Sequence, residues 1–164
     1  MAIEGLTWRT EPGPSDADAI RAIVESTGYF HDYEVDVAVE LVEERLAKGI
    51  ASGYYFVFAE KDGRVIGYSC YGPIACTTGS YDLFWIAVHD DFRGKGIGKL
   101  LMERTEKAVA AEGGRSVYVE TSSKEQYIST RAFYEKFGYV KEAQIRDFYE
   151  EGDDKVIYSR RVKL

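Results

Sequence analysis

The feature that most constrains the fold is a long apolar run that leads through a glycine-rich turn into a helix. Residues Tyr81–Val88 are almost all apolar or aromatic, which is typical of a central strand buried on both faces. The turn "RGKGIG" (Arg93–Gly98) follows, and the apolar spacing after it predicts a helix that stops at Gly113-Gly114. The next apolar run, "SVYVET" (Ser116–Thr121), predicts another strand. Strand, helix and strand in this order predict one parallel crossover.

The rest of the chain predicts helices and antiparallel strands around this crossover. Apolar spacing indicates two helices before it, which end near Gly28 and Gly49, and one after it, which ends at Gly138. Asp62-Gly63 and the region of Gly152 indicate two hairpins. The predicted order is β-α-α-β-β-β-α-β-α-β-β, a mixed α/β fold with a mostly antiparallel sheet of about seven strands. We expect residues 1–164 to form a single domain.

Composition excludes several classes of function. The formal net charge is −7 and the excess of acidic residues falls within residues 1–50, whereas nucleic-acid binding needs a basic face. No apolar run approaches the roughly 20 residues of a membrane span, and the N-terminus lacks the features of an export signal, so we expect a cytoplasmic protein. The only cysteines are Cys70 and Cys76, and with two histidines they are too few and too scattered for a metal site.

The glycine turn does not match either of the common phosphate-binding loops. A P-loop would need glycine where Arg93 stands, and serine or threonine where Leu100 stands. The dinucleotide fingerprint has the spacing G-x-G-x-x-G after the first strand of a sheet, whereas Gly94, Gly96 and Gly98 alternate after the fourth predicted strand. The turn therefore has to be interpreted from its own chemistry.

That chemistry favours an anion site. Glycines let the backbone approach an oxygen closely, and the first turn of a helix has unpaired N–H groups and partial positive charge. Arg93, Lys95 and Lys99 add three cations. Together these features predict a pyrophosphate cradle built mostly from backbone. The alternative is a tight turn with solvated cations, for which one glycine would suffice.

At this point the sequence resembles a known family. "RGKGIG" after "WIAVHDDF" resembles the acetyl-CoA signature Q/R-x-x-G-x-G/A of the GNAT superfamily of N-acetyltransferases. "TRAFYEKFGY" (Thr130–Tyr139) resembles a second motif of that family, and the order of elements agrees over about Leu6 to Val162. The chain is most similar to the N-terminal acetyltransferases that modify ribosomal proteins. The resemblance implies the GNAT fold and transfer of an acetyl group from acetyl-CoA to a primary amine by direct attack on the thioester, without a metal.

The resemblance also implies cofactor contacts. Backbone groups at the end of the apolar strand would bind the pantetheine arm: Ile86, Ala87 and Val88. The glycine turn would wrap the pyrophosphate: Arg93, Gly94, Lys95, Gly96, Ile97 and Gly98. Tyr127 stands where many relatives have an asparagine that contacts the cofactor, and its hydroxyl could serve instead. The thioester would lie between the strands that contain "FWIAV" and "VYVET".

Two proton transfers are implied. Tyr134 matches the tyrosine that protonates the departing thiolate, and a phenol is neutral at working pH. Glu120, in "VYVETSS", is the candidate base that takes a proton from the amine, either directly or through a chain of water molecules. Asp82, at the start of the apolar strand, is the alternative base.

Acidic and aromatic residues cluster in the two segments that shape the acceptor pocket in this family, "STGYFHDYEVD" and "IRDFYEEGDD". Acids beside aromatics suit a cationic acceptor, either a small amine or a peptide N-terminus. A homodimer that pairs through an exposed neighbour of "SVYVET" or through the final hairpin is a further possibility. The alternative function is a non-catalytic acyl-CoA sensor or interaction module with the same fold.

Overall fold

The computed structural model describes residues 3–162 as an α/β fold with seven strands and four α-helices. In chain order the elements are β1 (Leu6–Arg9), α1 (Asp16–Ser26), α2 (Asp32–Lys48), β2 (Tyr55–Lys61), β3 (Arg64–Pro73), β4 (Ser80–Val88), α3 (Ile97–Ala111), β5 (Ser116–Ser122), α4 (Ile128–Phe137), β6 (Val140–Glu150) and β7 (Asp153–Arg161). This is the predicted order of elements.

The strands form one mixed sheet in the order β1-β2-β3-β4-β5-β7-β6. β1–β2, β2–β3, β5–β7 and β6–β7 pair antiparallel, and β4–β5 pair in parallel. The parallel pairing joins Ser80–Asp82 to Ser116–Tyr118, and both strands continue beyond it. The mixed, mostly antiparallel sheet and its single predicted crossover through α3 are therefore confirmed.

The fold divides into two compact units. The first contains residues up to Gly72 together with Trp85–Thr105, and the second contains Pro73–Phe84 together with the chain from Glu106 onward. In the first unit, α1 and α2 bury their apolar faces against β2 and β3, and the core includes Ile20, Ile23, Val24, Val35, Val39, Val42, Phe56, Phe58 and Tyr68. Burial of this face explains why spacing alone located both helices.

Hydrogen bonds between charged side chains join the first strand of this unit to the neighbouring elements. Arg9 donates two hydrogen bonds to Asp16, at 2.6 and 2.8 Å, and one to Glu60 at 2.7 Å. The guanidinium also lies 4.5 Å from the ring centroid of Phe58. Asp16 accepts a further bond from the backbone N–H of Gly13 at 2.7 Å, and its side chain is buried. One arginine thus joins β1, α1 and β2.

Tyrosines fill the second unit between α4 and β7. The Tyr134 ring lies 5.9 Å from that of Tyr139 and 6.0 Å from that of Tyr158. The hydroxyl of Tyr139 donates to Glu106, and that of Tyr158 donates to Glu135, each at 2.9 Å. α4 ends as predicted at Gly138, whose φ of 104° is left-handed.

The burial of β4 differs from the sequence expectation. β4 is not buried on both faces: Leu83 and Ala87 are buried, but Phe84 is 40% exposed. An apolar run cannot distinguish two covered faces from one covered and one partly open face.

Among the helices of residues 3–162, none combines the length and the hydropathy that crossing a membrane requires.

Candidate active site

The glycine turn connects β4 to α3, and residues 93–96 of the turn are exposed to solvent. A short 3₁₀ turn, Asp90–Phe92, leads to Arg93, and α3 begins at Ile97. Gly94 and Gly96 have φ values of 72° and 80°, a conformation that residues with a Cβ rarely adopt. Within residues 3–162, a Cβ added at either glycine would meet no atom within 4 Å other than those of the adjoining residues. The space beside both glycines is therefore free for a ligand that approaches the backbone.

The first turn of α3 supplies hydrogen-bond donors to this space. The carbonyl of Gly96 accepts the N–H of Leu100 at 3.2 Å, which places Gly96 at the start of the helix. The N–H groups of the first helical residues have no carbonyl partner within the helix, and they carry the positive end of its dipole. Lys95 and Lys99 flank them and are exposed. This arrangement can bind an anion such as pyrophosphate.

Arg93 is held in place from two sides. Its guanidinium donates to the Asp90 carboxylate at 3.0 Å and lies 6.0 Å from the ring centroid of Tyr29. The hydrogen bonds to Asp90 and Tyr29 raise the pKa of Arg93, so it stays charged. The Asp90 N–H in turn donates to Ser26 Oγ at 3.0 Å, at the end of α1. The sequence reasoning missed Asp90 and Ser26, and no motif points to them.

The end of β4 packs closely against β3. The N–H of His89 donates to the carbonyl of Ile66 at 2.8 Å. A Cβ on Gly67 would lie 3.3 Å from the carbonyl oxygen of Ala87, so glycine permits this close approach. Ala87 is buried, whereas Ile86 and Val88 on either side of it are half-buried. The three residues predicted to contact pantetheine are thus fixed on their β3 side.

In the second unit, three charged residues share one face of the sheet. Asp82 pairs with Tyr118 on β5, Glu120 lies two residues further along β5, and Lys155 on β7 pairs with Ser122. Since side chains alternate along strands and paired residues point to the same side, Asp82, Glu120 and Lys155 face the same way. Lys155 Nζ lies 2.9 Å from Glu120 Oε2. The structure therefore brings both candidate bases to one cluster.

The two carboxylates differ in their surroundings. Glu120 is 47% exposed and paired with Lys155. Asp82 is half-buried, and within residues 3–162 its carboxylate makes no hydrogen bond or ion pair. Burial, and then the negative charge of Glu120, raise the pKa of Asp82, while the positive charge of Lys155 opposes the shift. The sequence reasoning named both acids but missed Lys155, whose pairing depends on strand register.

The candidate acid, Tyr134, is buried against other aromatic rings. Its side chain lies on α4 beside Phe133, Tyr139 and Tyr158. Burial raises the pKa of Tyr134, so the phenol remains protonated at neutral pH. Its hydroxyl makes no hydrogen bond to any other residue of the described chain, 3–162. A protonated hydroxyl without a committed acceptor can donate to a thiolate.

Tyr127 occupies the N-cap position of α4, at the end of the short turn Glu125–Tyr127. The connection that leads to it is fixed by Arg131, whose guanidinium donates to the carbonyls of Ser122 and Lys124 at 2.7 and 2.9 Å. The sequence reasoning missed this arginine, although it falls within the second motif. In the described residues no group of three or more His, Cys, Asp or Glu side chains is placed to hold a metal ion.

Comparisons with known proteins identify the family of this chain. Residues 52–141, more than half of the chain, match the model of the acetyltransferase (GNAT) domain. An uncharacterized N-acetyltransferase from Chlorobaculum tepidum is 30% identical over 125 residues, which cover 76% of this chain and 70% of the relative. A GNAT-family protein from Desulfovibrio desulfuricans superposes with a TM-score of 0.95 at 45% identity, covering 97% of this chain and all of that one.

The ribosomal-protein-S18-alanine N-acetyltransferase of Escherichia coli shares the fold. It superposes with a TM-score of 0.74 at 15% identity, over 97% of this chain and 95% of that one. Solved structures of the same fold contain coenzyme A or acetyl-CoA. The match to the family model and the two relatives at 30% and 45% identity establish the family as well as the fold. The chain belongs to the GNAT family of acetyltransferases, and it is an acyltransferase enzyme.

Proposed function

We propose that this enzyme transfers the acetyl group of acetyl-CoA to a primary amine, on a small molecule or at a peptide N-terminus, by direct attack on the thioester. The observation that carries this proposal is the open glycine turn at the start of α3, where Gly94 and Gly96 leave room for a ligand. The N–H groups of the first helical turn lie beside this space and have no carbonyl partner within the helix. Its cations suit a pyrophosphate, which acetyl-CoA contains.

In this proposal the turn binds the cofactor mainly through backbone. The N–H groups of Gly94–Gly98 and the side chains of Arg93 and Lys95 contact the pyrophosphate oxygens. Backbone groups of Ile86, Ala87 and Val88 pair with the amides of the pantetheine arm, and the hydroxyl of Tyr127 adds a contact. Asp90 and Tyr29 support this assignment because they hold the guanidinium of Arg93 at the turn.

The chemistry requires removal of a proton before the amine can attack. An alkyl ammonium has a pKa of about 10.4 and an α-ammonium of about 8, so most of either is protonated at neutral pH. A carboxylate of the second unit, Glu120 or Asp82, takes that proton. The nitrogen then bonds to the acetyl carbon, the carbon–sulfur bond breaks, and the sulfur leaves as a thiolate. Tyr134 protonates the thiolate, and the second proton lost by the nitrogen returns to the phenol or to solvent.

The acceptor is a cationic amine in this proposal. The segment before and into α2 presents Tyr33, which is 67% exposed and stacked on His31, together with the acids Asp32 and Glu34. Aromatic and acidic groups of this kind attract ammonium groups. A panel of cationic, neutral and anionic amines tests this assignment, and a preference for anionic acceptors would contradict it.

The enzymatic test is turnover of acetyl-CoA with the amine panel, read as release of free thiol. We expect Tyr134→Phe to lower kcat by about 10²- to 10⁴-fold, the range for a lost general acid, while acetyl-CoA binding is retained. Tyr139→Phe, which changes a neighbouring tyrosine bonded to Glu106, serves as the matched control. Tight acetyl-CoA binding without turnover on any amine would instead favour a non-catalytic sensor.

A further inference from the structure

Lys155 contacts one of the two candidate bases, Glu120, and one aromatic ring of the last hairpin, Phe148. We propose that Lys155 is a positioning residue of the acetyl transfer: it holds Glu120 as its counter-ion and leaves Asp82 to accept the proton of the incoming amine. The inference rests on the proposed function and deepens it, because it assigns the two carboxylates different tasks.

Lys155 is fixed by contacts on two sides. Its ammonium lies 2.9 Å from Glu120 Oε2, and 3.8 Å from the ring centroid of Phe148 on β6. Only 13% of the lysine side chain is exposed, far less than for a solvated surface lysine. A cation held between a carboxylate and an aromatic face has little freedom to leave either partner. The pair with Glu120 is therefore a built feature of the β5–β7 surface.

This contact limits what Glu120 can do. One of its carboxylate oxygens already accepts from Lys155, so uptake of a proton would weaken the ion pair. The lysine would then keep its charge in a largely buried position with a neutral partner, which is unfavourable. Glu120 is thus better suited to remain a carboxylate throughout the reaction.

Asp82 lies on the same face and is not engaged in this way. Its carboxylate makes no hydrogen bond or ion pair within residues 3–162, so its lone pairs are available to a proton. On β5 and β7, the titratable and charged groups on the same face as Asp82 are Tyr118, Glu120 and Lys155. Burial and the charge of Glu120 raise the pKa of Asp82, which brings a carboxylate closer to the value that a base needs near neutral pH.

The positive charge of Lys155 lowers the pKa of Asp82, and this effect can be measured without turnover. Carboxyl ¹³C NMR follows the titration of Asp82 in the wild type and in variants. We expect Lys155→Met to move the Asp82 midpoint to higher pH, because a positive neighbour is removed, and Lys155→Arg to restore it. Glu120→Gln should move it to lower pH, because a negative neighbour is removed. Lys141→Met, at an exposed lysine of the same hairpin, is the matched control.

The kinetic test uses the acidic limb of the pH profile of kcat/KM, where activity requires an ionised base. Loss of Lys155 should move this limb to higher pH, with a several-fold loss of rate at the pH where the wild type is half-maximal. Asp82→Asn should lower kcat by about 10²- to 10⁴-fold, and Glu120→Gln much less.

The outcomes separate the inference from the function on which it rests. A wild type that turns over no amine refutes the proposed function and the proton-transfer role with it. Turnover with an acidic limb that Lys155→Met leaves in place refutes the role of Lys155 alone. A larger loss in Glu120→Gln than in Asp82→Asn also overturns the assignment, because Glu120 would then be the base. If Lys155→Met does not fold, Glu120→Gln and Asp82→Asn still show which of the two carboxylates is the base.

Discussion

Asp16 is the side chain on which the first unit should depend most for its stability. The carboxylate is only 1% exposed and accepts three hydrogen bonds, from Arg9 Nη1 at 2.6 Å, Arg9 Nη2 at 2.8 Å and Gly13 N at 2.7 Å. Asp16→Ala removes all three acceptor contacts at once. Arg9 keeps its bond to Glu60, but the partly buried Gly13 N–H loses its side-chain acceptor.

The expected loss follows from these contacts. Hydrogen bonds to charged groups contribute about 1.5–3 kcal/mol each, and removal of one partner of a buried ion pair costs about 3–5 kcal/mol. The side chain of Arg9 is 33% exposed, so water can partly replace Asp16 and the loss falls below the sum. We therefore expect Asp16→Ala to lower the free energy of unfolding by about 2–4 kcal/mol and Tm by roughly 4–16 °C.

Urea unfolding followed by circular dichroism measures this difference. Asp18→Ala is the matched control, because Asp18 also lies in the first turn of α1 but is exposed. We expect the control to change stability by less than about 0.5 kcal/mol. A loss below about 1 kcal/mol in Asp16→Ala, with an unchanged m value, would contradict the reasoning that this ion pair fastens β1 to α1.

Two further expectations concern single hydroxyl groups. Tyr68 is fully buried, and its hydroxyl finds no hydrogen-bond partner within residues 3–162, so Tyr68→Phe should leave the free energy of unfolding unchanged or raise it by about 1 kcal/mol in urea titrations. A loss above about 1 kcal/mol would show that the hydroxyl has a stabilising partner. Ser26 Oγ accepts the N–H of Asp90, so Ser26→Ala should loosen the turn that holds Arg93 and weaken acetyl-CoA binding by roughly tenfold in calorimetry. Unchanged affinity would show that Asp90 is positioned without this bond.

The elements around the turn could be predicted because their signals are local. The apolar run of β4, the alternating glycines after it and the spacing of α3 lie within one continuous stretch of chain. The end of α4 could be predicted from Gly138, because a glycine in the left-handed conformation commonly ends a helix. The positions of Tyr134 and of the turn residues followed from these elements.

The charged contacts of both units could not be predicted in this way. Lys155 meets Glu120 only because β5 and β7 are neighbours in the sheet, although α4 and β6 separate them in the chain. Arg9 meets Glu60 across the β1–β2 pairing in the same manner. Such pairs depend on register, and one residue of slip would turn the side chain to the other face. The sequence identifies the acids and bases but leaves their partners undetermined.

The most direct test of the account is binding of acetyl-CoA to the glycine turn, measured by calorimetry on the wild type and on Gly96→Glu. Gly63→Glu is the matched control, because Gly63 has a similar φ of 76°, against 80° for Gly96, and equally open space. We expect the wild type and the control to bind acetyl-CoA and CoA, and Gly96→Glu to lose binding because its carboxylate would repel the pyrophosphate and occupy its space. Equal binding by Gly96→Glu, or no binding by the wild type, would contradict the assignment of this turn as the cofactor site.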